Sequence, residues 1–273
     1  WYNSGVYGSK YGNRYLKPDG STSDFAFVNY EEGIYVGYRY YETRSYEENK
    51  TAQTVDEWYD ANVVYPFGYG LSYTDFDWEV SFDKPTGSAI NADDVIKATV
   101  KVTNKTEVAG KDVVQLYYTA PYTAGGIEKS HVVLGAFEKT KLITGGGTDT
   151  VELELKVSDM KSYDWSDANG NGFKGYELDA GKYTVTVGTD AHTAKASATY
   201  ELKDGVTLRE IADADGKAVA VQNRFDDVSA GIFGNDTAAA YVSRSDFDGT
   251  LPQAYLTGGE RTLTQELLTK LEN

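Results

Sequence analysis

Apolar and polar side chains alternate along the middle of this chain. Between residues 74 and 202 the apolar residues repeat with a period of two, as in the stretch Phe76–Phe82. There Trp78 and Val80 share one side of the chain, and Glu79 lies on the other. Successive side chains of a β-strand point to opposite faces of a sheet. The pattern therefore predicts strands with one buried face.

Seven stretches carry this strand pattern, and turn residues separate them. The stretches are residues 76–82, 96–103, 113–118, 131–138, 151–157, 182–187 and 196–202. Turns such as Pro85-Thr86-Gly87 supply the reversals between them. Seven short strands with such turns predict a mainly β fold in which two sheets pack as a sandwich. The chain has no cysteine, so packing of the inner faces must hold the sheets together.

The segments on either side of the predicted sandwich carry weaker patterns. Residues 34–41 (Ile-Tyr-Val-Gly-Tyr-Arg-Tyr-Tyr) predict one apolar strand without a partner strand nearby. Residues 203–261 alternate short apolar stretches with Asp-Gly and Asn-Asp turns. Residues 262–272 predict a helix with leucines on one side, which a capping box of Thr262 and Gln265 begins. We therefore expect both flanks to be edges of neighbouring domains.

Two specific motifs precede the sandwich. Residues 30–41 read Tyr-Glu-Glu-Gly-Ile-Tyr-Val-Gly-Tyr-Arg-Tyr-Tyr, and residues 65–74 read Tyr-Pro-Phe-Gly-Tyr-Gly-Leu-Ser-Tyr-Thr. Their order, followed at once by the seven strands, resembles the family 3 glycoside hydrolases, which are β-glucosidase-like. In that family the two motifs end an α/β-sandwich domain and lead into a fibronectin type III-like domain. The resemblance covers about residues 24–202 and implies a seven-stranded fibronectin-III/immunoglobulin-like β-sandwich with irregular flanks.

The last segment resembles a subset of the same family. Residues 223–227 (Asn-Arg-Phe-Asp-Asp) and 241–252 are similar to the connector into the catalytic barrel of members with permuted domain order. The resemblance then implies three parts. They are the C-terminal end of the α/β-sandwich domain at residues 1–73, the fibronectin type III-like β-sandwich at 74–203, and the connector with the start of the (β/α)8 barrel at 204–273. The missing domains would lie on both sides of this chain.

The resemblance places the catalytic residues outside this chain. It implies an Asp nucleophile on the barrel, a Glu acid/base on the α/β-sandwich domain, and retaining hydrolysis of β-glycosidic bonds by the whole enzyme. No segment here matches either catalytic segment. The carboxylate pairs Glu31 and Glu32, and Asp246 and Asp248, are better explained as turn caps, because acid/base catalysis also needs a concave, partly dry pocket. The segment alone is predicted to be inactive.

Most residues of the two motifs are predicted to be structural. These family-motif residues are Glu32, Gly33, Tyr38, Arg39, Pro66, Phe67, Gly68 and Gly70. Trp58 and Tyr59 differ, since they lie in a long polar stretch between the motifs. Aromatic side chains have one large apolar face that can stack on a sugar ring. These two residues are therefore either close to a neighbouring substrate cleft or anchors of their own loop, and both interpretations stay open.

Metals and cofactors are not expected. His131 and His192 fall at strand edges separated by two strands, which disfavours a catalytic triad or a metal cluster. Residues 167–172 (Asp-Ala-Asn-Gly-Asn-Gly) offer oxygen ligands at alternate positions, as calcium loops do. Position twelve of such a loop would be Leu178, however, with Glu177 one residue early. A polar hairpin loop is the favoured interpretation, and calcium is the alternative.

Charge and hydropathy limit the classes of partner that this chain is predicted to bind. The 42 Asp and Glu residues exceed the 26 Lys and Arg residues and give a net charge of −16, which disfavours nucleic acid. No apolar run approaches the roughly 20 residues that a membrane helix needs. The resemblance implies the remaining domains of the same enzyme as partners, with a β-glucoside or oligosaccharide as substrate of the whole enzyme. The unpaired strand predicts self-association through residues 30–41. A stand-alone carbohydrate-binding module is the alternative function, and the sequence leaves the compartment open.

Overall fold

The computed structural model describes residues 14–26, 32–52, 56–223, 241–251 and 260–273. The chain divides into two compact units. One is residues 34–222, and the other combines the described residues before position 34 with those after position 222. The boundaries expected near residues 73 and 203 concern the domains of a longer enzyme, and they stay a prediction.

Strands dominate the described residues, with four helices. In chain order the elements are β1 (Arg14–Leu16), β2 (Thr22–Ala26), α1 (Tyr38–Ala52), α2 (Glu57–Asn62), β3 (Phe76–Phe82), β4 (Ala89–Ile90), β5 (Val95–Asn104), β6 (Val113–Thr119), β7 (Val133–Lys139), β8 (Thr148–Lys156), β9 (Ser162–Asp164), β10 (Gly175–Leu178), β11 (Gly181–Gly188), β12 (Ala194–Leu202), β13 (Val206–Leu208), β14 (Glu210–Ala212), β15 (Ala218–Ala220), α3 (Phe247–Thr250), β16 (Glu260–Thr262) and α4 (Gln265–Glu272). Val157–Met160 and Arg244–Asp246 form 3-10 turns.

Two sheets form the sandwich in the larger unit. One has the order β3-β5-β8 and the other the order β4-β12-β11-β6-β7. The strand pairs are antiparallel except for β4 with β12. All seven predicted strands are present, and the two-residue β4 adds one more. The mainly β sandwich is therefore confirmed, although its sheets are not limited to seven strands.

The inner faces of the two sheets form one apolar core. Val100 lies opposite Val80 on one side and Val151 on the other, and all three belong to the core cluster or pack against it. The outer face carries cross-strand ion pairs, such as Lys101 Nζ to Glu79 Oε1 at 2.8 Å. Apolar residues lie inside and paired charges outside, as the period of two predicts.

The strand predicted over residues 34–41 is wrong. Residues 32–37 form turns, and helix α1 begins at Tyr38. Gly33 and Gly37 have φ values of 57° and 58°, a left-handed backbone that interrupts an extended strand. Aromatic residues favour strands only when their neighbours do, and here tertiary contacts favour a helix. The prediction of self-association through residues 30–41 depends on an unpaired strand edge. The described residues 32–41 contain no strand.

Helix α4 begins three residues later than predicted. Thr262 ends β16, and Thr264 is the N-cap, whose hydroxyl accepts from Leu267 N at 3.2 Å. The predicted box at Thr262 fails because residues 260–262 pair with β1 in a small sheet of order β16-β1-β2. Residues 30–31 and 224–227 lie outside the described ranges. No helix among the described residues is long and apolar enough to cross a membrane.

Candidate functional site

The two sequence motifs meet on the β6–β7 side of the sandwich. The ring of Tyr38, the first residue of α1, stacks on Phe67 with centroids 4.3 Å apart. The backbone N–H of Leu134 in β7 donates to the Tyr38 hydroxyl at 3.0 Å. Motif residues that are 29 positions apart thus join each other and the sheet, which fits the structural role predicted for them.

Gly68 has a backbone conformation that favours glycine. Its φ is +87°, and a Cβ at this position would lie 2.1 Å from Gln115 Oε1. The Gln115 side chain donates from Nε2 to Gly68 O at 3.1 Å and to Thr189 O at 2.6 Å. Next to it, Ala191 N donates to Phe67 O at 2.8 Å. The motif backbone is therefore bound to the sheet through a buried glutamine.

The other motif residues have less specific surroundings. Glu32, Arg39 and Pro66 are half-buried. Gly33 and Gly70 are exposed, and a Cβ on either would meet nothing within 4 Å. Contacts with the sandwich thus explain why Tyr38, Phe67 and Gly68 belong to the motifs. The contacts described above do not explain the other five motif residues.

Trp58 and Tyr59 lie on α2 and contact their own neighbours. The Trp58 ring lies 6.3 Å from the rings of Tyr40 and Tyr41. Tyr59 is buried and stacks on His192 with centroids 3.7 Å apart. Burial and a hydrogen bond to Glu42 raise the pKa of the Tyr59 hydroxyl, so it stays protonated. These contacts favour the anchoring interpretation, and a place near substrate stays a prediction.

His192 connects the helical segment, which comprises residues 38–62 with α1 and α2, to the sandwich. Its Nδ1 lies 3.0 Å from Glu42 Oε2 on α1, and its Nε2 lies 3.6 Å from Asp56 Oδ2, just before α2. Asp190 holds the loop, because its carboxylate accepts from the backbone N–H of His192 at 2.9 Å. The hydrogen bond to Glu42 raises the pKa of His192, burial opposes this, and the negative charges of Glu42, Asp56 and Asp190 add to the rise.

His131 and His192 both contact aromatic rings and line the same cavity. The prediction that both histidines fall at separate strand edges does not anticipate that His192 contacts two carboxylates, or that His131 stacks on Tyr46 with ring centroids 3.7 Å apart. Both line one cavity of about 470 Å³ between helix α1 and the β6–β11 part of the sheet. Its lining residues are Glu42, Ser45, Tyr46, Asn49, Asp56, Tyr117, Tyr118, Thr119, His131, Val132, Thr184, Thr186, Ala191, His192 and Ala194.

Charged side chains from two parts of the chain meet at this cavity. Both ring nitrogens of His192 face carboxylates, so neither faces a hydroxyl that it could activate as a base. Among the described residues, no three His, Cys, Asp or Glu side chains are grouped to hold a metal. The contacts of His192 with Glu42 and Asp56 join the segment 38–62 to the loop between β11 and β12.

An exposed aromatic segment follows helix α2. It comprises the apolar side chains Val64, Tyr65, Phe67, Tyr69, Leu71 and Tyr73, all of which are exposed. Leu71 is 87% exposed and Tyr73 is 97% exposed. All six of these side chains fall within ten consecutive residues. We call residues 64–73 the exposed aromatic segment.

Sequence reasoning missed the helical segment and its link to the sandwich. Residues 38–52 contain the helix formers Arg, Glu, Lys and Ala, and Tyr40 and Thr43, three positions apart, are both buried. That period was the available signal. No signal in the sequence indicates the pairing of Glu42 with His192, because the two residues lie 150 positions apart.

The fold and a family match define the class of domain. The family description "Fibronectin type III-like domain" matches residues 112–191, which run from the start of β6 past the end of β11. This match lies within the two-sheet sandwich.

Comparison with known proteins extends the relationship beyond this domain. Beta-glucosidase A of Butyrivibrio fibrisolvens is 36% identical over 209 residues, which is 73% of this chain and 23% of that protein. A beta-glucosidase of Ruminococcus albus is 36% identical over 185 residues, 68% of this chain and 17% of that protein. The crystal structure of a beta-glucosidase from Paenibacillus barengoltzii matches with a TM-score of 0.54 and 38% identity, covering 68% of this chain and 18% of that one.

The resemblance to glycoside hydrolase family 3 is therefore confirmed. The chain carries the fibronectin type III-like domain of that family, and over about two thirds of its length it is homologous to β-glucosidases. It spans about a fifth of the length of the relatives that it matches.

Proposed function

We propose that this chain is the non-catalytic structural portion of a β-glucosidase-type glycoside hydrolase. The whole enzyme would hydrolyse β-glycosidic bonds of a β-glucoside or oligosaccharide with retention of configuration, and this portion would support the active site from outside it. The exposed aromatic segment carries the proposal. It is bound to the sandwich at Phe67 and Gly68, yet its other apolar side chains face solvent.

The remaining domains of the same enzyme are the partner that fits this segment. Burying apolar surface contributes about 25 cal/mol per Å², so large exposed side chains such as Leu71 and Tyr73 favour a covering surface. The relatives are several times longer than the part matched here, so they contain chain that could supply it. A second copy of this chain is a weaker candidate, because the sheet edge on which self-association depended is absent from residues 32–41.

The domain order is part of the proposal. Residues 1–73 would end the α/β-sandwich domain, residues 74–203 would be the fibronectin type III-like domain, and residues 204–273 would connect to the barrel. Short elements such as β14, β15 and α3 in the last part suit a connector. Reading the gene on both sides tests this order directly, since a barrel encoded upstream instead of downstream would contradict it.

Activity assays test the supporting role. The isolated chain should not hydrolyse an aryl β-glucoside above the buffer blank, whereas the protein from the whole reading frame should. In the whole protein, Leu71→Ser with Tyr73→Ser should lower thermal stability and activity together, because a covered apolar surface becomes polar. Phe137→Ser is the matched control, since Phe137 is 66% exposed on β7, and it should have little effect.

Two results would overturn the proposal. One is turnover by the isolated chain. The other is a whole protein in which the double variant and the Phe137 control behave alike. The stand-alone carbohydrate-binding module is not favoured. The chain aligns with only part of longer β-glucosidases, and Trp58 and Tyr59 contact their own neighbours.

A further inference from the structure

The hairpin formed by β9 and β10 encloses two buried carboxylates. Asp164 is 1% exposed and Glu177 is 3% exposed. Gly175 lies directly opposite Asp164 in the hairpin register, so Glu177 is two residues further along the facing strand. Side chains two positions apart in a strand point to the same face. Asp164 and Glu177 therefore share one face of the hairpin.

Each carboxylate is bonded to the connecting loop through only one of its oxygens. Asp164 Oδ1 accepts from Ser166 N at 3.1 Å and from Ala168 N at 3.0 Å. Glu177 Oε2 accepts from Asn169 Nδ2 at 2.9 Å and from Asn171 Nδ2 at 2.7 Å. These bonds bring both carboxylate heads to the same loop.

The second oxygen of each carboxylate has no hydrogen-bond partner. Both Asp164 Oδ2 and Glu177 Oε1 are buried from solvent in this state. A buried unpaired carboxylate is costly, and native proteins normally pair it with hydrogen bonds, a cation or a metal. Two such oxygens, on side chains that share one hairpin face, therefore point to a positively charged ligand independently of the loop sequence.

The surrounding charges increase the need for a cation. The carboxylates of Asp164 and Asp179 act electrostatically on Glu177, so negative charge is concentrated at this hairpin. Two lysines beside the hairpin contact other side chains. The ammonium of Lys129 is bonded to Asp179, and that of Lys161 lies near Asp159 and over the Tyr176 ring.

We propose that the β9–β10 hairpin binds a divalent cation of the calcium type through Asp164 and Glu177. Calcium takes six to eight oxygen ligands and accepts flexible geometry. Asp167, Asn169 and Asn171 stand at alternate positions of the loop. Their side-chain oxygens accept from backbone N–H groups within the loop, and each has a further lone pair for a cation. Because three acidic side chains are not grouped here, amide and backbone carbonyl oxygens must complete the shell.

The hairpin also removes the sequence objection to calcium. That objection assumed the twelve-residue register of a helix-flanked loop, in which Leu178 would replace the final Glu. In a β-hairpin the acidic ligand is positioned by the facing strand instead, and Glu177 already reaches Asn169 and Asn171 from there. The inference is separate from the proposed enzyme function and holds or fails without it.

Calcium titration of the purified chain tests the proposal. After EDTA treatment and buffer exchange, isothermal titration calorimetry should show one site with a dissociation constant at or below about 1 mM. Calcium should also raise the unfolding temperature, because a ligand that binds only the folded state stabilises it. Magnesium, which demands stricter geometry, should bind more weakly.

Variants separate this site from general charge effects. Glu177→Gln should weaken calcium binding at least about tenfold, because it removes a charged ligand while keeping the side-chain shape. Asp167→Asn is a second test if the first variant does not fold, since Asn tolerates the left-handed backbone of Asp167, whose φ is 61°. Asp213→Asn is the matched control. Asp213 caps an exposed turn by accepting from Asp215 N and Lys217 N, and its loss should leave calcium affinity unchanged.

The outcomes are decisive in either direction. One calcium site that Glu177→Gln or Asp167→Asn weakens and Asp213→Asn preserves supports the proposal. Absence of binding at about 10 mM calcium overturns it, because calcium sites of extracellular modules bind by about 1 mM. An equal response in all variants also overturns it and leaves a proton shared between the two carboxyls as the explanation of the buried oxygens.

Discussion

Removing the His192 side chain should destabilise the larger unit by about 2–4 kcal/mol. A hydrogen bond to a charged partner contributes about 1.5–3 kcal/mol, and this ring has one to Glu42 at 3.0 Å. Aromatic stacking contributes about 0.5–1.5 kcal/mol, and the ring lies 3.7 Å from Tyr59 at an interplanar angle of 6°. In His192→Ala, Glu42 stays only 5% exposed and loses its positive partner.

The loss should depend on pH in a defined direction. The pKa of His192 is raised above its usual 6.5 in the folded state, mainly by Glu42 and also by Asp56 and Asp190. Stability from the protonated ring is therefore fully present below about pH 6.5. It is lost as the pH rises through the raised folded-state pKa. His192→Ala should thus cost more at pH 6 than at pH 9.

Urea unfolding followed by tryptophan fluorescence measures both effects. A double-mutant cycle of His192→Ala with Glu42→Gln should give a coupling energy of about 1–3 kcal/mol at pH 6 and a smaller one at pH 9. The exposed pair Lys101 and Glu79 is the control, with an expected coupling of about 0.2–1 kcal/mol. A His192→Ala cost below about 0.5 kcal/mol, or one that increases with pH, would refute the reasoning.

Two further substitutions test the packing that supports the site. Gly68→Ala should cost about 2–4 kcal/mol, because left-handed strain of about 1–2 kcal/mol adds to lost Gln115 hydrogen bonds, whereas Gly70→Ala, whose Cβ meets nothing within 4 Å, should be near neutral in urea unfolding. Leu116→Ala, at a fully buried core position, should lower the free energy of unfolding by about 2–5 kcal/mol. Leu142→Ala, at a 62% exposed position, should change it little, and equal losses for the two leucines would contradict the assigned core.

The sandwich could be predicted because its information is local. Each strand repeats its own period of two, so Trp78 and Val80 reveal their buried side without knowledge of any partner. Helix α1 could not be predicted in the same way. Its aromatic start has high strand propensity, and the contacts that favour the helix come from distant residues such as His131, whose N–H donates to Thr43 Oγ1 at 2.8 Å.

The same limit applies to the candidate sites. The two motifs were recognised because their residues are contiguous, and Gly68 was singled out on that ground alone. Its close contact with Gln115 spans 47 positions, which no pattern in the sequence records. The hairpin differs, because its loop sequence did raise calcium as an alternative. Only the register of Asp164 opposite Gly175 brings Glu177 to that loop from the facing strand.

The helical segment determines the shortest chain in which this sandwich can be used as a separate scaffold. Three backbone amides of the sheet and its loops, those of His131, Leu134 and Ala191, donate to Thr43, Tyr38 and Phe67. A chain shortened to begin at residue 74 would lose all three acceptors. Each buried donor left unpaired costs about 1–3 kcal/mol, a large share of the stability of a small domain. The smallest transferable sandwich therefore begins near residue 34, with its two helices included.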